Sequence, residues 1–325
     1  MFRKVYFIAL LMLMLSACGQ TQATPPKLQP IQLGVGYVPN VQFAPFYVAQ
    51  AKGFFAEEGL DVSLEYGFET DFVALTAKGE RQFAIASGDQ VILSRAQGLP
   101  LVYVMKWYER FPVAIMTTKA SGIDTPAKLI DHSVGIPGLF GASYIAWKAL
   151  VYTQKLDETK IKLQSIGFTQ AEAVSTGQVD AAVIYIANEP VQLKQQGMEV
   201  NLFEVSDYIN LISNGLVTNE TVIKEQPDLV RKMVRANLRG LQYTLDHPDE
   251  AMTLSRKFIP DMKEADVPTQ RAVLEASLAL WRSDQVGLTT EQAWQESVSF
   301  MRETGLLEKE LDVIKLYTNE FVGQK

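Results

Sequence analysis

The chain contains Gly79-Glu80-Arg81-Gln82-Phe83-Ala84-Ile85-Ala86 and, 98 residues later, the similar Gly177-Gln178-Val179-Asp180-Ala181-Ala182-Val183-Ile184. Each stretch enters a polar turn, and each turn opens a helical segment that ends in Gln-Gly, at Gln97-Gly98 and Gln196-Gly197. We interpret the two stretches as one strand-and-helix unit used once in each of two lobes. The alternative is a chance similarity of two such units, since Gly and Ala dominate the match.

Short apolar runs alternate with amphipathic stretches on both sides of the first unit. Such alternation implies right-handed crossovers and a mainly parallel sheet covered on both faces, so the predicted fold class is α/β with a first lobe at 31–115. Strands are predicted at 31–37, 62–66, 82–86, 101–105 and 114–117, and helices at 46–58, 71–78 and 90–97.

The pattern restarts after Thr117 and predicts a second lobe at 116–213, which contains the second unit. From 214 to 325 the pattern is helical, and we expect this section to return to the first lobe and pack on its back. The second lobe is predicted to hold strands at 133–136, 162–166 and 181–186, and helices at 142–154 and after Thr169. The final section is predicted to hold helices at 225–245, 249–258, 269–281, 291–303 and 308–321.

The amino terminus has the features of a bacterial secretory signal. Arg3 and Lys4 precede an apolar run at 5–15, and Leu15-Ser16-Ala17-Cys18 matches a lipobox, whose cysteine carries diacylglycerol. We therefore predict a signal peptide at 1–17, a lipidated Cys18 and a Gln-, Thr- and Pro-rich flexible tether at 18–30. The alternative is an ordinary signal peptide with an incidental cysteine. Because Cys18 is the only cysteine, no disulfide is expected.

Composition limits the possible partners of the folded body. The chain is 47% hydrophobic with a formal net charge of −7, and removal of the signal takes the charge to −9, which argues against nucleic acid. No second apolar run approaches membrane-spanning length. We expect a monomeric, extracytoplasmic body held at the cell membrane by its acyl chains.

The turns that follow the two repeated strands are the first candidate for a ligand site. In the repeat register Asp89 lies opposite Asn188 and Gln90 opposite Glu189. Ligands of parallel sheets bind beyond the carboxyl ends of strands, so we expect 87–89 and 185–189 to converge on one cleft and offer it carboxylate and amide groups. The alternative for Asp89 and Asn188 is helix capping.

A second candidate is the loop Gly135-Ile136-Pro137-Gly138-Leu139-Phe140-Gly141, which follows a predicted strand. We interpret it as a loop whose backbone approaches the ligand, with a tight turn that requires glycine as the alternative. Aromatic rings also collect around these loops, and they grip planar ligands by offset stacking. They are Tyr37, Phe43, Trp107, Tyr108, Phe140, Tyr144 and Tyr185, of which Phe43, Trp107 and Tyr185 lie in loop or strand-end contexts.

Catalytic constellations are not evident in the sequence. The two histidines, His132 and His247, have no neighbour at metal-ligand spacing, and neither a nucleophile elbow nor a P-loop is present. Asp89 and Glu189 could form a catalytic carboxylate pair, but carboxylates that bind a ligand look identical in sequence. We predict a binding protein rather than an enzyme, with no metal and no cofactor.

The opening of the folded body resembles a known family. Tyr37-Val38-Pro39-Asn40, Phe43-Ala44-Pro45-Phe46-Tyr47-Val48-Ala49, Lys52-Gly53-Phe54-Phe55 and Glu58-Gly59-Leu60-Asp61-Val62 are similar to the signature of ABC-importer binding proteins related to the thiamine-pyrimidine synthesis enzyme of yeasts. The resemblance runs from about residue 31 to 249. It implies a type II periplasmic-binding-protein fold, with two lobes, paired crossover strands, a hinge and a ligand cleft between the lobes.

The resemblance also implies site residues and partners. Ligand would be contacted by Asn40, Phe43, Asp89 and Trp107 from the first lobe and by Tyr185, Asn188 and Glu189 from the second, and we add Tyr144 from the aromatic cluster. An ABC permease with its ATPase would receive the ligand. The yeast enzyme uses a cysteine-rich iron motif, and this chain has no cysteine beyond Cys18, which argues against synthase activity.

Members of the family bind riboflavin, thiamine-precursor pyrimidines or, in distant branches, sulfonates. A sulfonate site needs a firm cationic partner, and the cleft loops hold none, although Arg95 and Arg110 are close in sequence. The many aromatic residues near the cleft favour riboflavin over a formylaminopyrimidine, which is the alternative. An enzyme on the same fold is the hypothesis from a different class.

Overall fold

The computed structural model describes residues 27–260 and 262–323. The predicted signal peptide, the lipidated Cys18 and the tether up to residue 26 lie outside the described residues. The structure corrects the predicted end of the tether, because Gln29 and Pro30 belong to the first strand. Gln29 pairs with Leu60, and its N–H donates to Gly59 O at 2.8 Å.

Five strands form the first sheet, in the order β2-β1-β3-β10-β4. β1 runs parallel to β2 and β3, whereas β10 runs antiparallel to both β3 and β4. Successive side chains of β3 point to opposite faces of the sheet and pack into two different hydrophobic clusters. Both faces of this strand are therefore covered, which explains its apolar sequence. The strands are β1 (Gln29–Gly34), β2 (Leu60–Glu65), β3 (Phe83–Ser87), β4 (Leu101–Lys106) and β10 (Asn214–Asn219).

The second sheet repeats this topology, in the order β7-β6-β8-β5-β9. β6 is parallel to β7 and β8, and β5 is antiparallel to β8 and β9. The strand predicted at 114–117 therefore belongs to this sheet and not to the first, because its backbone pairs with β8 and β9. The strands are β5 (Val113–Thr118), β6 (Ser133–Ile136), β7 (Lys162–Ser165), β8 (Ala181–Tyr185) and β9 (Val200–Glu204).

The chain crosses between the sheets twice, between β4 and β5 and again between β9 and β10. Each crossing delivers one antiparallel strand into a sheet whose other strands are parallel. We call the first sheet with its helices the first lobe, and the second sheet with the three helices that lie between β6 and β9 the second lobe.

Twelve α-helices are present in the described residues. In the first half of the chain they are α1 (Ala44–Ala51), α2 (Phe54–Glu57), α3 (Glu69–Ala77), α4 (Gly88–Ala96), α5 (Gly141–Gln154), α6 (Gln170–Ser175) and α7 (Glu189–Gln195). In the last third they are α8 (Glu220–Glu225), α9 (Pro227–Asp246), α10 (Pro248–Ser255), α11 (Val267–Trp281) and α12 (Glu291–Glu303).

The carboxy-terminal helices pack mainly on the first lobe. α9 lies against α1 so closely that a Cβ on Gly240 would stand 2.2 Å from Pro45 O, which explains a glycine inside a helix. α11 also packs against α7 and so touches both lobes. None of the helices in the described residues is long and apolar enough to cross a membrane.

The helix predicted at 308–321 is wrong, since only a 3₁₀ turn at Val313–Lys315 forms there. The segment instead runs along the edge of β4, where Tyr103 N–H donates to Leu316 O and Thr318 N–H donates to Tyr103 O. Tyr317 stacks on Trp294 of α12 at 5.5 Å. Pairing the free backbone groups of an edge strand outweighs local helix propensity.

The two repeated units occupy equivalent places, because β3 with α4 and β8 with α7 hold the same position in their sheets. The matched glycines share a left-handed backbone, with φ of +79° at Gly79 and +72° at Gly177, and +83° at Gly98 and +81° at Gly197. Glycine dominates the match because these turns need positive φ.

Candidate functional site

A cleft lies between the lobes, beyond the carboxyl ends of β1, β3 and β8. The crossing segments form its floor, through Trp107, Tyr108 and Asn214. The geometry follows from the topology, because both sheets turn their carboxyl ends toward the same space.

Aromatic rings dominate the walls of the cleft. Phe68 of the first lobe lies 5.3 Å from Phe140 and 5.1 Å from Phe168 of the second lobe, and Tyr37 meets Phe168 edge-on at 5.0 Å. Phe68 and Phe140 are 36% and 47% exposed, so these rings stand at the mouth. The aromatic residues that line the cleft are Tyr37, Phe43, Phe68, Trp107, Tyr108, Phe140, Phe168 and Tyr185.

Five of the eight residues predicted to contact ligand line this cleft: Phe43, Trp107, Tyr185, Asn188 and Glu189. The other three are absent from the lining. Asn40 is buried behind it, where its Oδ1 accepts from Gln42 N–H at 2.9 Å. Asp89 is buried beside Gln90, whose amide donates to it at 2.6 Å, and Tyr144 packs against the core cluster shared by α4 and α5. Ligand contact by each of the eight residues stays a prediction.

The residues of the lining that the sequence reasoning missed include Phe68, Glu69, Phe168 and Gln170. They follow β2 and β7, at the carboxyl ends of strands and the starts of α3 and α6. The same strand-end rule that selected Asp89 and Glu189 would have found them, had it been applied to every strand and not only to the repeated pair.

Asn188 links the two lobes through its side-chain amide. Its Nδ2 donates to Tyr37 Oη at 2.8 Å, and its Oδ1 accepts from Asn40 Nδ2 at 3.1 Å. Within its own lobe Asn188 also bonds Glu189 at 3.2 Å and Gln192 at 2.9 Å. Asn188 precedes α7 but makes no side-chain capping bond, so its amide serves the contact between lobes.

Two carboxyl groups line the cleft, of which Glu189 is buried and Glu69 is half-buried. Burial raises the pKa of Glu189 to about 7, against the hydrogen bonds from Tyr185 N–H and Asn188. Burial and the nearby Asp89 raise the pKa of Glu69 to about 7 as well, while Ser87 N–H and Oγ donate to its Oε1 at 2.8 and 2.7 Å. Burial also raises the pKa of Asp89.

Two further polar atoms of the lining residues have no hydrogen-bond partner. They are Nε1 of Trp107 and Oε1 of Gln170, on side chains that are each 4% exposed. The ring of Trp107 is already packed against Phe43, Phe46, Tyr108 and Trp281 at 4.6–6.0 Å. The ring thus has aromatic neighbours, but its Nε1–H has no hydrogen-bond partner. A buried donor without a partner lowers the stability of the folded protein.

The glycine loop combines both of the interpretations considered for it. Pro137, Phe140 and Gly141 line the cleft. Gly141 has φ of +71°, and a Cβ on Gly138 would stand 2.6 Å from the ring of Phe140. The loop thus borders the cleft and also needs glycine for its turn.

Several solved structures share this architecture, and two of them are structures of ligand-binding proteins. The alkanesulfonate-binding protein SsuA of Xanthomonas axonopodis pv. citri, bound to MOPS, superposes with a TM-score of 0.72 at 14% identity over 91% of this chain and 99% of that one. A ligand-binding component of an ABC-type import system of Staphylococcus aureus has a TM-score of 0.69 at 14% identity, over 90% and 97%. The predicted α/β, two-lobed periplasmic-binding-protein fold is confirmed.

The family follows from sequence comparison. The NMT1/THI5-like family profile matches residues 40–251, and the chain belongs to that family. It is 42% identical to the riboflavin-binding protein RibY of Chloroflexus aurantiacus, over 96% of this chain and 95% of that protein. It is 28% identical to the formylaminopyrimidine-binding protein of Halalkalibacterium halodurans over 92% of each. A pyrimidine phosphate synthase of Legionella pneumophila is 22% identical, over 90% and 92%.

The raised pKa of Glu189 predicts a pH-dependent stability. The folded state keeps a proton up to about pH 7 that the unfolded state releases near pH 4.5, so the folded protein binds more protons in that window and loses stability as the pH rises. Glu189→Gln should flatten the curve of unfolding free energy against pH by up to about 1.4 kcal/mol per pH unit. Urea unfolding of the ligand-free protein from pH 5 to 8 measures it.

The exposed Glu199, whose side chain is 76% accessible, supplies the control, and Glu199→Gln should leave the slope as it is. Equal slopes in wild type and Glu189→Gln would contradict the prediction.

Removal of the Asn188 amide should make the ligand-free protein more open, because this side chain bonds to the opposite lobe. Asn188→Ala deletes the two hydrogen bonds between lobes, each worth about 0.5–1.5 kcal/mol, and should shift the population toward open forms. Small-angle scattering should show a larger radius of gyration. Asn201→Ala is the matched control, because Asn201 bonds only within the second lobe, to Thr117 and Ile123. A radius unchanged in Asn188→Ala, or enlarged equally in both variants, contradicts the assignment.

Proposed function

We propose that this protein captures riboflavin in the cleft between its lobes and delivers it to the permease of an ABC importer. The supporting observation is a cleft walled by aromatic rings that also holds buried carboxyl groups without a cationic partner among the described residues. The 42% identity to a protein named for riboflavin binding supports the same ligand.

The isoalloxazine ring of riboflavin suits the walls of the cleft. It is a broad planar surface, and aromatic pairs contribute about 0.5–1.5 kcal/mol each beyond burial. Phe43 and Tyr185 lie on lobe-one and lobe-two elements respectively, so lobe closure brings both toward a flat ligand.

The polar groups of riboflavin suit the polar atoms of the lining. Riboflavin carries ring carbonyl and nitrogen acceptors, a ring N–H and ribityl hydroxyls. The unpaired Nε1 of Trp107 can donate to an acceptor, and Oε1 of Gln170 can accept from a donor. Glu69 and Glu189 supply further acceptors, and each bond made to a buried group removes a desolvation cost.

A formylaminopyrimidine is the second candidate ligand. The 28% identity to a protein named for binding it supports this reading, and an exocyclic amine would also donate to Glu69 or Glu189. A single ring uses less of the aromatic wall. A sulfonate receives no support, because the lining residues include neither Lys nor Arg nor His.

We propose binding without turnover. The two more similar relatives are named as binding proteins, whereas the synthases stand at 22–23% identity. The chain also lacks the cysteines of the yeast enzyme's iron motif, with Cys18 as its only cysteine.

The proposal also includes a location for the protein, outside the cytoplasm and at the cell membrane. Solute-binding components of import systems work outside the cytoplasm, where a permease with its ATPase receives their ligand. We propose that a signal peptide at 1–17 directs export, that Cys18 carries the lipid anchor, and that the protein acts as a monomer.

Riboflavin titration tests the ligand. Flavin fluorescence should be quenched at about one ligand per chain, because stacked aromatic rings quench the excited flavin. Tyr185→Ala should weaken binding more than Phe54→Ala, which removes a ring that packs on Tyr243 outside the cleft. Unchanged emission at micromolar protein, together with calorimetric binding of a formylaminopyrimidine, would transfer the assignment to the pyrimidine. Equal losses in both variants would contradict the role of Tyr185.

Membrane fractionation tests the anchor. The full-length protein expressed in a bacterium should sediment with membranes, and Cys18→Ser should move it to the soluble fraction or leave its precursor uncleaved, because the thiol is the acylation site. Ser16→Thr is a control that keeps the thiol. Membrane association that survives loss of Cys18 at the mature size contradicts acylation at this residue.

A further inference from the structure

The cleft has an unusual charge pattern for a site bordered by helix starts. Glu69 and Glu189 line it, and Asp89 lies next to Glu69. None of the three forms an ion pair with a cationic side chain in the described ranges 27–260 and 262–323, and the lining contains no cationic residue. Carboxyl groups in protein interiors are usually paired with a cation, so these unpaired carboxyls indicate a role in the cleft.

Helix starts attract negative charge, and in many clefts they hold an anionic ligand. In this chain the protein's own carboxylates take those places. α3 begins at Glu69, and Asp89 lies in the first turn of α4. Both helices have nine residues. An anion that enters the cleft at the start of α3 therefore meets the carboxyl group of Glu69, behind which Asp89 is buried.

Glu69 is the lining carboxyl that has a free oxygen. Its hydrogen bonds all reach Oε1 and come from Ser87, which leaves Oε2 without a partner in the described part of the chain. Tyr185 lines the same cleft from the opposite lobe. Glu189, by contrast, is already bonded through both oxygens, to Tyr185 N–H and to Asn188.

We propose that Glu69, supported by Glu189, makes the cleft selective for an uncharged ligand that donates hydrogen bonds and excludes phosphorylated or sulfonated forms of the same ligand. The inference rests on the proposed capture of a vitamin or its precursor. It specifies that the protein binds the form of the ligand that carries no phosphate or sulfonate group. A donor of the neutral ligand satisfies Oε2, whereas a phosphate in the cleft meets a like charge with no cation among the lining residues to offset it.

One feature of the cleft opposes this selectivity. α5 is 14 residues long, its first residues Gly141, Ala142 and Ser143 line the cleft, and its first turn has no acidic residue. A phosphate placed there would receive N–H donors and avoid the carboxyls. Exclusion by Glu69 predicts weak binding of a phosphorylated ligand, whereas a phosphate site at the start of α5 predicts tight binding. A binding experiment therefore distinguishes the two.

The experiment compares riboflavin with riboflavin 5′-phosphate by calorimetry at pH 8, above the pKa of about 7 of both glutamates. Riboflavin should bind at least about tenfold more tightly, as expected for a like charge that no cation of the lining offsets. Glu69→Gln should reduce that ratio at least about threefold, mainly by tightening the phosphate.

Asp71→Asn is the matched control, because Asp71 is an exposed acidic residue in the first turn of the same helix and does not line the cleft. It should leave the ratio unchanged. Glu189→Gln should lower the ratio in the same direction and replaces Glu69→Gln if that variant does not fold. Equal binding of neutral and phosphorylated forms by the wild-type protein, or a ratio unmoved by either variant, overturns the proposal.

Failure of the proposed function gives a different result. If riboflavin does not bind, riboflavin capture is wrong, and MOPS then serves as an anionic probe. Binding of MOPS to the wild-type protein overturns anion exclusion. Binding that arises only in Glu69→Gln supports it, and absence of binding in both proteins counts against a role for Glu69.

Discussion

The double crossing of the chain is the constraint on which the site depends. Because β5 and β10 each enter a sheet antiparallel to its parallel strands, the two lobes are tied by the short segments that follow β4 and β9. This arrangement turns the carboxyl ends of both sheets toward one space. Helix starts from both lobes then border the cleft, and the crossing residues Trp107 and Asn214 lie at its floor.

The cleft holds polar groups that lack partners in the described part of the chain. Glu69 and Glu189 line it without a cation, and Trp107 Nε1 and Gln170 Oε1 are buried and unpaired. Protein interiors satisfy most such groups in place. Such groups lower the stability of the free protein, and a ligand that pairs with them recovers part of that loss.

Contacts within the cleft divide between holding the lobes and facing a ligand. Asn40 and Asn188 use their amides on each other and on Tyr37, and Asp89 is held behind Glu69. The strand-end rule selected Asp89 and Asn188, and the family resemblance added Asn40, but neither had the means to separate these roles. The separation depends on which side chains from distant segments come within hydrogen-bond distance, as Asn40 and Asn188 do across 148 residues.

Local patterns in the chain were sufficient for the α/β class, the repeated unit and its glycines, because apolar periodicity and positive-φ turns are properties of short segments. The same patterns located the helix at Glu291–Glu303 and the cleft residues Phe43, Tyr185 and Glu189. They misplaced the strand at Val113–Thr118 and proposed a helix near the carboxy terminus, since strand partners and the covering of the β4 edge are set by pairing between distant segments. The raised pKa of Glu69 is of the same kind, because the pKa of a carboxyl depends on the surroundings that packing creates and not on its neighbours in the chain.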